Sequence, residues 1–203
     1  MLSVGLIGLL LSFYFSGWEG ARMNCAEEIM IFPLKEELIE DINKTNNEFS
    51  VFGKVVPSFQ SGKWSFEETL FEETKEIQFP DDTLDWDQYI NRDDKALFLA
   101  YNNNNCIGQI RIIKDWNRFC YVENIATKKE FRESGIGRLL LTRAEEWAKH
   151  RNLIGMSLET QDDNLGACRF YVKQGFILGG VDTLKQFYNP NIETTLYWYK
   201  LFK

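Results

Sequence analysis

The run Lys129-Glu130-Phe131-Arg132-Glu133-Ser134-Gly135-Ile136-Gly137-Arg138-Leu139-Leu140 joins a strand-like segment to a helical one through an Arg-x-x-Gly-x-Gly turn. Glycine adopts positive φ without a Cβ penalty and lets the backbone approach a ligand closely, so both glycines are expected to shape this turn. Successive N–H groups then converge at the positive end of the following helix, a ready site for a diphosphate. Upstream, Cys120-Tyr121-Val122-Glu123-Asn124-Ile125-Ala126-Thr127 is rich in aromatic and β-branched residues and short enough for a strand. Downstream, Ile136, Leu139, Leu140, Ala144, Trp147 and Ala148 recur at the spacing of one helix face. Two other phosphate-binding turns do not fit. A dinucleotide fingerprint orders its glycines as Gly-x-Gly-x-x-Gly, and a P-loop requires Gly-Lys-Ser or Gly-Lys-Thr.

A second segment follows: Asn164-Leu165-Gly166-Ala167-Cys168-Arg169-Phe170-Tyr171-Val172-Lys173-Gln174-Gly175-Phe176. Taken together and in this order, the two resemble the GNAT superfamily of acetyl-CoA-dependent N-acetyltransferases, over roughly Ala96 to Lys203. One departure is Glu133, where relatives often carry a small or basic residue. Exposed, or paired with Lys128, Lys129 or Arg138, it costs below about 1 kcal/mol.

The resemblance implies an α/β fold with a GNAT-type mixed, largely antiparallel central sheet and helices on both faces. It also implies acetyl-CoA as co-substrate. Its diphosphate would lie on Arg132, Glu133, Ser134, Gly135, Ile136, Gly137 and Arg138. Its pantetheine arm would run along the main chain of Ile125, Ala126 and Thr127 as though it were an added strand, with Ile125 N–H near the thioester oxygen. Asn164 and Ala167 would steady it from the other side. Tyr171 matches the position from which family members protonate the coenzyme A sulfur, and Phe170 is expected in the core.

Acetyl transfer from a thioester to an amine needs a deprotonated amine, a stabilised oxyanion and a proton for the departing thiolate. A lysine-like amine has a pKa near ~10.4, so a carboxylate acting directly or through water helps to remove its proton. Glu123 is the first candidate and Glu159 the second. For either, a partly buried carboxylate paired with a basic side chain stays open as the alternative. A phenol, with pKa near ~10, suits Tyr171 for the donor role.

Within the superfamily, the segments Lys114 to Arg118, Leu158 to Asn164, Gly180 to Thr183 and Tyr197-Trp198-Tyr199 resemble the streptothricin acetyltransferases, which acetylate the β-lysine amine of that antibiotic. This likeness extends from about Val51 onward. It makes Glu159, Trp116 and Asp182 candidate acceptor contacts, with core packing open for Trp198 and turn formation open for Asp182. A protein N-terminus or a polyamine remains an alternative acceptor, and a noncatalytic acyl-CoA-binding module an alternative function.

The chain of 203 residues is 44% hydrophobic and carries a net charge of −7, which argues against nonspecific nucleic-acid binding and suits a cationic small-molecule amine. Cys25, Cys106, Cys120 and Cys168 show no C-x-x-C spacing, and with His150 as the one histidine no metal site is expected. Reduced thiols point to the cytoplasm. A homodimer is compatible with the sequence, which does not decide the oligomeric state.

Met1 to Trp18 is free of charge, at the short end of the ~17–25 residues of a membrane span. It lacks the basic start of a secretory signal. Trp18-Glu19-Gly20 is encoded TGG-GAR-GGN, which accommodates a GGAGG ribosome-binding sequence ahead of the Met23 codon. Translation is therefore expected to start at Met23, leaving residues 1–22 a non-native extension without a membrane role and 23–203 as one domain. A strand is expected at Ile29 to Phe32 and a helix at Leu34 to Ile42, opened after Pro33. Val51 to Asp94 reads as less regular, its acidic residues a solvated face and in part a cover for the acceptor. Strands at 96–101, 106–114 and 119–126 are expected to form three consecutive antiparallel neighbours. A helix at 136–151, a strand at 155–160, a helix at 164–174 and strands near 176–181 and 194–202 follow.

Overall fold

A computed structural model describes residues 29–189, 192 and 194–203. The expected start at Met23, the extension 1–22 and Cys25 lie outside the described residues. Nine strands occur in chain order among the described residues: β1 (Ile29–Pro33), β2 (Phe49–Gln60), β3 (Lys63–Ile77), β4 (Lys95–Asn102), β5 (Asn105–Lys114), β6 (Phe119–Thr127), β7 (Gly155–Gln161), β8 (Ile177–Asp182) and β9 (Thr195–Leu201). Helix α1 (Ile136–Lys149) joins β6 to β7, and α2 (Leu165–Lys173) joins β7 to β8. Seven strands form one sheet in the order β1-β4-β5-β6-β7-β9-β8, antiparallel throughout except for β6 and β7.

The three central strands follow from their turns. Asn103 takes a φ of 54° between β4 and β5, a left-handed geometry that asparagine tolerates. Between β5 and β6, Asp115 N donates to Phe119 O and Asn117 Oδ1 accepts from Phe119 N, closing the second turn. Helix α1 buries Ile136, Leu140, Leu141, Ala144, Trp147 and Ala148 on the sheet. Leu139, expected on that face, is 37% exposed, and Leu141 takes the inward place. Each fully buried leucine contributes about 1.5–3 kcal/mol.

Both α-helices share one core with Phe98, Ile110, Met156, Leu158 and Trp198. The opposite face of β4 and β5 is covered by two 3-10 helices, Glu36–Asp41 and Trp86–Tyr89, around Leu34, Ile42, Leu97 and Leu99. The helix expected from Leu34 is therefore only a short 3-10 segment. It has no side-chain cap, and six residues do not repay the cost of nucleating an α-helix. Burial of Leu34 and Ile42 holds it instead.

The segment expected to be less regular contains a long two-stranded sheet of β2 and β3. Its turn is Ser61-Gly62, both at positive φ, which is the requirement of a tight hairpin. From Glu67 onward β3 is exposed on both faces, so the alternation that marks a half-buried strand is missing. The hairpin is fastened to the body at several points. Val55 N donates to Asp162 O at 2.9 Å, Phe66 meets Trp198 edge to face, and Arg169 forms a forked ion pair with Glu68. Trp198 itself is core, with its indole N–H on Thr160 Oγ1 at 2.9 Å.

Candidate active site

β6 and β7 pair only from Phe119↔Gly155 to Tyr121↔Ser157, and beyond Tyr121 the two strands part. Parallel pairing that stops mid-strand leaves one edge of β6, toward Ile125 and Thr127, without a ladder partner. Buried main-chain groups must be satisfied, so this edge is suited to receive an extended chain that pairs like a strand. A cavity of about 340 Å³ occupies the split and is lined from both faces of the sheet, by Tyr121, Glu123 and Ile125 of β6, Glu159 and Thr160 of β7, and Asn164, Ala167 and Tyr171 around α2.

The loop after β6 prepares the end of α1. Lys129–Phe131 makes one 3-10 turn, Glu133 takes φ 62° and Gly135 takes φ 93° as the N-cap residue. Neither a side-chain cap nor an acidic residue occupies the first turn of α1, so no side chain of its own competes there with an anion. The site fits a diphosphate. Gly137, expected at positive φ like Gly135, lies within the helix instead, and its role is steric: a Cβ there would stand 2.9 Å from Phe170 Cζ. Arg132 braces the loop, its Nε donating to Thr127 O at 3.3 Å and its Nη2 to Asn47 O at 3.4 Å. Ser134 Oγ donates to Phe131 O, while Glu133 and Arg138 are exposed. Lys129 bridges Glu48 and Glu76 at the base of the hairpin, tying β2 and β3 to the loop.

Glu123 owes its direction to a β-bulge. Arg111 pairs with Asn124 and Ile112 with Val122, which leaves Glu123 as the extra residue of β6. Bulges re-aim side chains and recur beside active sites. Glu123 Oε2 accepts from Tyr89 Oη at 2.7 Å and from Arg111 Nε at 3.1 Å. Among the described residues its Oε1 accepts no hydrogen bond. Arg111 reaches on to Asp82 Oδ2 at 2.7 Å, and Gln109 links Asn43 N to Asn124 Oδ1. Arg111, Tyr89 and Gln109 were not anticipated as site residues, and Asp82 only as one of the acidic residues expected in part to cover the acceptor. The signal available for two of them was Gln109 and Arg111 alternating within the otherwise apolar run Cys106 to Ile113.

Tyr171 is buried between Phe170 and Phe176, and that burial pushes its phenol well above the ordinary value, so it is a protonated group at neutral pH. Asn164 caps α2, its Oδ1 accepting from Ala167 N at 3.2 Å. Glu159 accepts from the Lys185 ammonium. Both candidate carboxylates are thus paired with basic side chains, the arrangement left open from the sequence. Burial pushes the thiols of Cys106, Cys120 and Cys168 up to about 11, 12 and 11, so none of these supplies a thiolate.

Two expected acceptor contacts lie elsewhere. Trp116 is 91% exposed in the turn between β5 and β6, at the far end of β6 from Ile125, and does not reach the cavity. Asp182 Oδ1 accepts from Leu184 N and Lys185 N, so it shapes the turn after β8 and does not line the cavity. The acidic run divides: Asp82, with Phe79 and Pro80, lines the cavity, whereas Glu67, Glu72 and Glu73 stand exposed on β3. Among the described residues no group of three or more His, Cys, Asp or Glu side chains is placed to hold a metal, and no helix is long and apolar enough to cross a membrane.

A strand split beside a helix N-terminus without a side-chain cap, with a buried phenol and two carboxylates lining one cavity, suits the acyl transfer from a thioester on a long phosphorylated arm that the resemblance implies. Residues 63–176 match the acetyltransferase (GNAT) family, and the chain belongs to it and is an N-acetyltransferase. Streptothricin acetyltransferase A of Bacillus subtilis (strain 168) is 41% identical over 174 residues, 85% of this chain and 100% of that protein. A protein from Bacillus anthracis str. Ames, assigned as a streptothricin acetyltransferase and solved with acetyl coenzyme A, superposes with TM-score 0.79 at 29% identity over 88% of this chain and 99% of its own. Nourseothricin acetyltransferase, at TM-score 0.70 and 24% identity over 85% of this chain and 98% of its own, shares the fold.

Proposed function

We propose that the protein transfers acetyl from acetyl-CoA to an amine of streptothricin, on its β-lysine moiety, and so confers resistance to that antibiotic. The observation that carries the chemistry is the single cavity that reaches from Tyr171 to Glu123 and Glu159 through the split between β6 and β7. The substrate rests on the 41% identity to streptothricin acetyltransferase A along that protein's whole length.

Acetyl-CoA supplies the activated acetyl group; the chain's own residues bind, orient and move protons. Loop residues 132–138 would hold the diphosphate, and the free edge of β6 at Ile125 to Thr127 the pantetheine. Ile125 N–H would polarise the thioester carbonyl. Glu123 would receive the acceptor's proton on Oε1, directly or through water, while Arg111 and Tyr89 hold Oε2 in place. Tyr171 would donate the proton that the departing sulfur takes up.

A thiol-release assay against streptothricin, spermidine and a short peptide tests the reading. Rapid release with streptothricin is expected, together with resistance of a sensitive bacterium that expresses the protein. Release with the peptide or spermidine but not with streptothricin overturns the acceptor while retaining the reaction.

A further inference from the structure

Lys185 sits in a place that a substrate amine would suit. The Asp182 carboxylate accepts from Leu184 N at 2.8 Å and Lys185 N at 3.0 Å, turning the chain back over β7 after the end of β8. The Lys185 ammonium then donates to Glu159 and stands 5.6 Å from the centre of the Tyr197 ring. Glu159 and Tyr197 are register partners on β7 and β9. Glu159 lines the cavity, as does Gln186 beside the lysine. A carboxylate backed by an aromatic face is general recognition chemistry for a primary ammonium. This one is filled from within.

We propose that the Glu159–Tyr197 pair is the docking point for a second, non-reacting ammonium of a diamino acceptor, and that Lys185 is an internal surrogate which the acceptor displaces. The Glu159–Tyr197 pair thereby favours diamines over monoamines, and Lys185, by competing for it, tempers that preference. The proposal rests on the reading of the cavity as an amine-acceptor site. Displacement is inexpensive, because the Lys185 side chain is 40% exposed and Leu184, Phe187 and Tyr188 around it are 72%, 84% and 81% exposed, so little packing holds the segment. An exposed ion pair is worth about 1 kcal/mol or less, and an incoming ammonium restores the same contact with Glu159. A monoamine, whose one nitrogen must reach the thioester uncharged, has nothing to exchange.

The test is calorimetric titration of the full chain, loaded with coenzyme A, with L-lysine amide as the diamine and butylamine as the monoamine. Lys185→Gln should bind lysine amide about 5-fold more tightly than the unaltered protein, the equivalent of ~1 kcal/mol, with no change for butylamine. In a Glu159→Gln background the same lysine change should have no effect. Equal or weaker binding of lysine amide by Lys185→Gln, an equal gain for butylamine, a gain that persists without Glu159, or no binding by either protein overturns the proposal. Absence of thiol release with streptothricin in every variant would instead count against the acceptor assigned above, since the titration does not depend on turnover.

Discussion

The ring of Phe170 fills the space that a side chain at Gly137 would need, with Phe170 Cζ 2.9 Å from where a Cβ would stand. The first turn of α1 and the middle of α2 are thereby one packing unit. Its outer side presents the loop proposed to hold the diphosphate, and its inner side presents Tyr171, adjacent to Phe170. Gly137→Ala should lower stability by about 1–3 kcal/mol through overpacking, although helix propensity alone favours alanine by up to ~1 kcal/mol. In the Phe170→Leu background the same change should become neutral or stabilising. Denaturant unfolding of the four proteins of this cycle measures it.

Gly135 presents the opposite case. Nothing lies within 4 Å of a Cβ built there, but φ is 93°, a conformation that costs other residues about 1–2 kcal/mol. Gly135→Val should fold, because the site is open, and should lose coenzyme binding as the loop leaves its left-handed geometry. Calorimetry with acetyl-CoA reads the result, and unchanged affinity would remove the loop from the binding site.

For Tyr171, the direct test is Tyr171→Phe, which keeps the ring and removes the proton. We expect kcat to fall roughly 100-fold with little change in KM. Because burial raises the phenol above its ordinary value, this group stays protonated through mildly alkaline pH and should put no alkaline limb on the kcat profile there. A kcat close to that of the unaltered protein would leave Tyr171 a packing residue.

Arg111 is 8% exposed at its side chain and is neutralised by Glu123 and Asp82 together. Glu123→Gln should lower kcat while sparing the KM for acetyl-CoA, and should reduce stability by about 1–3 kcal/mol through the weakened partner of a buried cation. Asp82→Asn should reduce stability less, since that carboxylate is 37% exposed. Full activity of Glu123→Gln would confine Glu123 to holding Arg111.

Asp163 Oδ1 is buried without a hydrogen-bond partner, and burial, then the charge of Asp162, raises its carboxyl above the ordinary range. Below the unfolded-state pKa of about 3.9 both states are protonated and the residue carries no penalty. As pH rises through that value and on through the folded-state pKa, the unfolded chain releases its proton first and stability is lost. Asp163→Asn should therefore be more stable than the unaltered protein at pH 7, with an advantage that shrinks on acidification. Urea unfolding across pH 3 to 7 checks the sign; an advantage that grows at low pH would contradict it.

The sequence by itself determined the strand, turn and helix from Cys120 to Lys149 and the order of β4, β5 and β6, because each is written in short-range terms, periodicity and turn residues; α2 is read from the family resemblance, and its Asn164 cap is seen only in the structure. Even there the reason for Gly137 was out of reach, since its neighbour Phe170 lies on another helix. Only the tertiary structure decided the rest. The β2–β3 hairpin is exposed on both sides along much of β3 and so carries no alternation to read; contacts such as Arg169 with Glu68, 101 residues apart, place it. The pairing of Glu123 with Arg111 and Asp82, and of Glu159 with Lys185, is likewise set by where the strands part and where a bulge turns one side chain. Carboxylates alike in sequence acquire different tasks through the partners that distant segments bring to them.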